Sequence, residues 1–167
     1  MNRDNFVKSL ETLPSQTKEK MEIRRANLEY LEGLAILFDR YRVFYGQASD
    51  PEAAKQFLRD RLTNGDSVIF IAGKNEQSIG FTQLYPSFSS VSMKRIWILN
   101  DLFVEQRYRR QGIATALMNA AENYARDTGA ARIALSTQIS NTSAQILYRS
   151  RNYTKDEAFY HYQLPLP

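Results

Sequence analysis

This sequence predicts a single α/β domain built on one mixed sheet flanked by helices, and three observations carry that expectation. β-prone runs at residues 67–72, 78–85 and 95–104 follow one another with short polar connections, as an antiparallel meander does. The last of them passes through a basic, glycine-containing turn into an alanine-rich segment with helical apolar spacing. A further strand-like run, residues 131–137, comes after that helix. A strand that follows a crossover helix lies parallel to the strand before it. Such neighbours can splay at their ends and open a slot beside the helix terminus.

With 167 residues, 43% of them hydrophobic and 12% aromatic, the chain can bury one sizeable core. We expect one domain over 21–167, preceded by a partly helical extension, 1–20. The absence of cysteine excludes disulfides, thiolate metal sites and cysteine nucleophiles. One histidine, His161, cannot assemble a metal cluster, so no metal is expected. No apolar run approaches the roughly 20 residues of a membrane helix, and the N-terminus opens no signal-peptide pattern. The expectation is a soluble cytoplasmic protein with no membrane partner. A net charge of +4 and a pI near 9.3 suit a polyanionic ligand, but so modest an excess reads as solvated surface, and no nucleic-acid partner is expected.

In chain order, Phe6, Leu10 and Leu13 are four and three apart, which predicts a short amphipathic helix over 4–12, capped by Asp4 and stopped by Pro14. Residues 15–20 read as a linker. A short strand over 21–25 leads to a helix in which Leu28, Leu31, Leu34, Ala35, Leu37 and Phe38 recur at threes and fours, with Asn27 as cap and Gly46 as terminator. The end of that helix carries Tyr41, Phe44 and Tyr45, which cannot all face one core: they form a rim against a neighbouring helix or a wall for substrate. Ser49-Asp50-Pro51-Glu52 starts another helix, which continues through Phe57, Leu58 and Leu62 to Asn64-Gly65.

The first two β-runs are joined by a polar turn, 73–77, as a hairpin. Residues 86–92 are too rich in serine for core and too aromatic for a linker, so they read as a loop within reach of a ligand. In the crossover helix Ile113, Leu117, Ala120 and Tyr124 share a face, and Thr128-Gly129 ends it. Asn141-Thr142-Ser143 caps a short helix over 144–149, Asn152 takes the left-handed end position, and a last strand over 158–164 closes the chain.

The chain is organised around the turn Gln106-Arg107-Tyr108-Arg109-Arg110-Gln111-Gly112-Ile113-Ala114. A helix that begins just after a strand presents unpaired N–H groups and the positive end of its dipole at one spot, which suits a phosphate. Gly112 lets a ligand approach the backbone closely. Arg107, Arg109 and Arg110 either add to that site or are plain surface basicity.

Arg109-Arg110-Gln111-Gly112-Ile113-Ala114 resembles the acetyl-coenzyme A motif of the GNAT superfamily of N-acetyltransferases, Arg/Gln-x-x-Gly-x-Gly/Ala at a strand-to-helix turn. Downstream, Asn141-Thr142-Ser143-Ala144-Gln145-Ile146-Leu147-Tyr148, with Asn152-Tyr153 beyond, is similar to that family's Asn-x-x-Ala-x-x-Leu-Tyr followed by Gly-Phe/Tyr. The order of elements is the family's own, over about 21–162.

The resemblance implies acetyl-coenzyme A as co-substrate. Its pyrophosphate would be held at Arg109, Arg110, Gln111, Gly112, Ile113 and Ala114, and its pantetheine arm would run along Leu102, Phe103 and Val104 with Asn141 in contact. Tyr148 matches the family's usual thiolate proton donor; its other reading is a core tyrosine with a polar tip. A homodimer is also implied. Aminolysis needs a base as well. Asp101 is the only acid in the strand leading to the turn, and serves either as that base or as a structural acid that binds backbone N–H groups. Polyamine and small-amine acetyltransferases carry a similar segment, Leu-Glu-Asp-Phe-Phe-Val, where this chain has Leu99-Asn100-Asp101-Leu102-Phe103-Val104. Should a β-bulge sit here, the facing of Asn100 and Asp101 cannot be read from alternation. Tyr41, Tyr45, Tyr85, Ser87 and Asn100 are substrate-side candidates. The expected activity is acetyl transfer to a primary amine of a small molecule, such as a polyamine or amino acid, by direct attack. The alternatives are acetylation of protein lysines or N-terminal amines, or a non-catalytic acyl-coenzyme A sensor.

Overall fold

Alternating burial along the central strands sets the architecture of the computed structural model, which describes residues 20–75 and 77–166. Five strands form one sheet in the order β1 (Glu22–Arg25), β2 (Val68–Lys74), β3 (Gln77–Ser89), β4 (Lys94–Val104) and β5 (Ile133–Leu135). The first three junctions are antiparallel and β4–β5 is parallel, so the predicted meander and parallel pair are both present. Helices α1 (Leu31–Phe44) and α2 (Pro51–Asn64) cover one face, burying Leu34, Leu37, Phe38 and Leu58 against Ile69, Ile71, Phe81 and Phe103. Helix α3 (Ile113–Asp127) covers the other, burying Leu117, Met118 and Ala121 against Ile79, Leu84, Trp97 and Leu99. Helix α4 (Thr142–Ser150) follows β5.

The helix ends have local causes. Asp50 accepts from Ala53 N–H at 3.0 Å ahead of Pro51, and Gly65 closes α2 at φ 63°. Asn27 caps a 3-10 turn, Leu28–Tyr30, that leads into α1. At the end of α4, Asn152 sits at φ 65°, with Tyr153 N–H bonded to Tyr148 O and Asn152 N–H to Arg149 O, each at 3.0 Å. Arg151 then clamps α4 to α3: its Nε and one terminal nitrogen donate to the two Glu122 oxygens at 2.8 and 2.7 Å.

The sheet carries two register shifts. One makes Ile79 the extra residue of β3, between the pairs Ala72 with Gly80 and Gly73 with Ser78. The other makes Asn100 the extra residue of β4, because Gln83 pairs with Asp101 while Leu84 pairs with Leu99.

Three expectations are corrected. Residues 86–92 are not one loop: β3 runs to Ser89 with Pro86 opposite Trp97, and the connection shrinks to a turn, since serine-rich segments still pair when a neighbouring strand offers a ladder. β5 is three residues rather than seven, since only Ile133, Ala134 and Leu135 meet β4. The last strand over 158–164 does not form; the segment is irregular and Phe159, Tyr160, Tyr162 and Leu164 are exposed. The free edge at that end of the sheet is β5, whose three residues offer only a short ladder, and a strand needs pairing as much as propensity. The helix expected over 4–12 lies outside the described residues.

Beside the first bulge, a Cβ on Gly80 would meet Phe103 O at 2.8 Å, with Leu117 and Val104 close behind. Gly80→Ala should therefore destabilise the fold by about 1–3 kcal/mol, the usual cost of overpacking, read as a lower denaturant midpoint with an unchanged slope.

Candidate active site

The site begins where β4 loses its parallel neighbour. Pairing with β5 covers only Trp97, Ile98 and Leu99, so from Asn100 to Val104 that side of β4 carries no strand. The bulge at Asn100 sits at the same point and moves the following residues to the other face. Trp97 and Leu99 pack toward α3, whereas Phe103 packs toward α1 and α2. Asp101, two residues before Phe103 in regular alternation, therefore faces α1, while Asn100 is exposed.

Asp101 is only 3% exposed, and no cationic side chain acts on it among the described residues. Burial pushes its carboxyl above the ordinary carboxylate range. The Tyr41 hydroxyl beside it and the Asn100 amide, whose Nδ2 donates to Oδ1 at 3.1 Å, pull it only part of the way back. The same proximity raises the tyrosines: Tyr41 through burial and then the Asp101 charge, and Tyr85 through the same two causes up to about 12. The Tyr41 ring is fixed edge-on to Tyr45, Phe81 and Phe103, with centroids 5.0, 5.8 and 6.1 Å away. Tyr148, on α4, reaches this group from across the splay. It packs on the α3-side core, yet its hydroxyl, already raised by burial, is raised further by Tyr45.

So Tyr41, Tyr45, Tyr85, Asn100, Asp101 and Tyr148 come together. Ser87 does not: it pairs with Ile96, four residues further along β3 than the partner of Asp101, or about 13 Å at strand rise. Gln83, absent from the sequence-based candidates, does. It is fully buried directly opposite Asp101, donates from Nε2 to Ser67 Oγ at 2.8 Å, and leaves Oε1 without a partner. A glutamine inside a largely apolar β-run was its one mark in the sequence, and only the pairing with Asp101 gives that mark a meaning.

At the turn, Arg110 (φ 59°) and Gly112 (φ 80°) are both left-handed, which bends the backbone into a concavity of N–H groups. The first backbone bond into α3 runs from Ala116 N–H to Gly112 O at 3.0 Å, so the N–H groups just before it have no intrahelical acceptor. A Cβ on Gly112 would meet nothing within 4 Å. The cradle is open, and its geometry fits a pyrophosphate. The Arg109 side chain, however, turns away from it: Nε donates to Val104 O at 3.0 Å, and the guanidinium lies over Phe44 and Phe103 at 5.5 and 5.8 Å. Arg40 also bonds Glu105, at 2.6 Å, so α1 is tied to the turn twice. Asn141 is the N-cap of α4, accepting from Ala144 N–H at 3.2 Å, which leaves its amide N–H groups for another partner.

The description "Acetyltransferase (GNAT) family" belongs to a family model that matches residues 32–153, a stretch that holds the bulge, the turn and α4. The chain belongs to the GNAT acetyltransferases. An uncharacterised N-acetyltransferase of Bacillus subtilis is 50% identical to this acetyltransferase over 147 residues, covering 88% of this chain and 99% of its own. A probable acetyltransferase of Haemophilus influenzae is 37% identical over 114 residues, covering 68% and 78%. The solved structure of a probable acetyltransferase, 46% identical, superposes with a TM-score of 0.83 over 87% of this chain and 98% of that one.

The buried carboxyl of this enzyme has a cost. Because its folded value lies above its unfolded one, the unfolded chain loses the proton first, and stability falls as pH rises through the window between them. Asp101→Asn removes that loss. The variant should match the parent in thermal midpoint near pH 3 and exceed it at pH 7; an equal midpoint at both values would show that the carboxyl is not strained by burial.

Proposed function

We propose that this acetyltransferase moves the acetyl group of acetyl-coenzyme A to a primary amine of a small molecule. One observation carries the acceptor: Asp101 is a buried carboxylate with no cation from the described chain to balance it, enclosed by tyrosine hydroxyls. A buried charge without a partner is expensive, and a compact ammonium ligand is the complement it lacks. Among relatives of lower identity, one from Klebsiella aerogenes, 26% identical over 102 residues, is named an aminoglycoside N(6')-acetyltransferase, a name that implies a small amine-bearing acceptor.

The roles then divide along the splay. Acetyl-coenzyme A, when bound, supplies the activated acetyl group. The N–H groups from Arg110 to Ala114 hold its pyrophosphate, the Arg109 N–H being bonded to Gln106 O, and the free side of Leu102, Phe103 and Val104 takes its arm, with the Asn141 amide as a further donor. Asp101 orients the ammonium and accepts its proton, for which a raised carboxyl is the better base at neutral pH. As the C–N bond forms and the C–S bond breaks, the Tyr148 hydroxyl, kept protonated by burial, donates its proton to the departing thiolate, and the second proton that the nitrogen sheds on becoming an amide restores the tyrosine. Residues 21–167 are the catalytic domain on this reading and 1–20 its extension. A homodimer is the assembly we favour, with the exposed Phe159, Tyr160 and Tyr162 available for an interface.

Thiol release with a panel of polyamines, amino acids and aminoglycosides, set against lysine peptides, tests the acceptor. Turnover with small amines is expected, and activity confined to peptides would overturn the reading. Tyr148→Phe should lower kcat on the order of 10²-fold or more while leaving the affinity for acetyl-coenzyme A, measured by calorimetry, nearly unchanged. Gly112→Glu should abolish that affinity, because a side chain and a negative charge would occupy the cradle; retained binding would sink the site.

A further inference from the structure

At the opposite end of α3 lies an open cavity of about 420 Å³, within the roughly 300–1,000 Å³ of small-molecule sites. Arg25 of β1, Pro86 of β3, Arg95 and Trp97 of β4, and Tyr124 and Thr128 at the end of α3 line it. It is not part of the acetyl-transfer site. Counted from Gly112 to Thr128 at 1.5 Å per residue, the cradle and this cavity are about 24 Å apart along the helix. Trp97 also faces α3, whereas Asp101 faces α1.

Both arginines are held by aromatic rings rather than by acids. The Arg25 guanidinium lies 5.2 Å from the Tyr124 centroid, and that of Arg95 lies between Phe88 and Trp97, at 5.0 and 5.3 Å. Trp97 and Tyr124 themselves pack 5.3 Å apart, so the two guanidiniums flank one aromatic pair. Among the described residues neither guanidinium has an ion-pair or hydrogen-bond partner, and no aspartate or glutamate lines the cavity. A stacked guanidinium keeps its in-plane N–H fork free and loses little side-chain freedom when that fork binds. The negative end of α3 is screened as well. The Thr128 hydroxyl bonds Tyr124 O and Ala125 O at 2.9 and 3.1 Å and accepts from Trp97 Nε1 at 2.9 Å.

We propose that this cavity is a second ligand site, in which Arg25 and Arg95, set on neighbouring rings, bind oxyanion groups, phosphate or carboxylate, of a small anionic molecule. Two pre-set forks with no protein acceptor, on adjacent rings, suit a ligand that carries more than one negative charge. The apolar floor of Trp97, Tyr124 and Pro86 sets the body of that ligand against ring faces. The proposal is independent of the acceptor amine.

Trp97 is the only tryptophan of the chain, so intrinsic fluorescence reports on this cavity directly. The full-length protein is titrated with inorganic phosphate, with citrate, and with sodium chloride at matched ionic strength. A saturable change in emission with phosphate, citrate or both is expected, and whichever responds assigns the group. Arg25→Met and Arg95→Met, which keep the apolar stems, should each weaken binding roughly tenfold, the loss of one charge-assisted contact. Arg110→Met, at the cradle, should leave it unchanged. Thermal midpoints and acetyl transfer near the parent's show that the Arg25 and Arg95 variants are folded, and a thermal midpoint alone does so for Arg110→Met. A response that never saturates, that chloride reproduces, or that survives in the Arg25→Met/Arg95→Met double variant overturns the site.

Discussion

One extra residue, Asn100, decides the geometry of this enzyme. Before it, the odd-numbered side chains of β4 face α3; after it they face α1. The last rung shared with β5 is at Leu99, the residue directly before it, so the strand turns its acid toward one helical layer just where its other edge becomes free. An acid and an open backbone edge thus come within a few residues of each other without any long insertion. Bulges recur beside active sites for this reason: they re-aim a side chain while the rest of the ladder keeps its register.

Around that point the helices are fixed by arginines. Arg40 and Arg109 tie the end of α1 to the turn after β4, and Arg151 ties α4 to α3 through both oxygens of Glu122. Pairs of this kind add little net stability, because the Coulombic gain is set against the desolvation of both partners. Their contribution is position. Tyr148 can face Tyr45 across the splay only while α4 keeps its angle to α3, and the Arg151 fork is a directional constraint that apolar packing alone would not supply.

Much of the fold was legible because the elements announce themselves locally. Pro51 and Gly65 bracket α2, and alternation marks the central strands. The left-handed turn before α3 was legible for the same reason, as a contiguous run of residues. What could not be read depends on pairing. The segment 158–164 alternates like a strand but pairs with none, and Ser87 was expected in a loop within reach of a ligand although register carries it away. Gln83 was overlooked because a polar residue inside a β-run becomes informative only when its cross-strand neighbour, here Asp101, is known. Arg109 shows a further limit: its position in the motif was plain, but the direction of its side chain depended on Phe44, far away in the chain.

The solitary burial of Asp101 has a consequence for the other end of the catalytic cycle. On the proposed reading, an ammonium entering the pocket balances the carboxylate, and acetylation turns that nitrogen into an uncharged amide. The complement that drew the acceptor in is thereby erased by the reaction itself. With Asp101 as the proposed base, the proton left on the carboxyl would neutralise the pocket, the product would depart from a site that no longer attracts it, and return of that proton to solvent would re-arm the enzyme for the next cation.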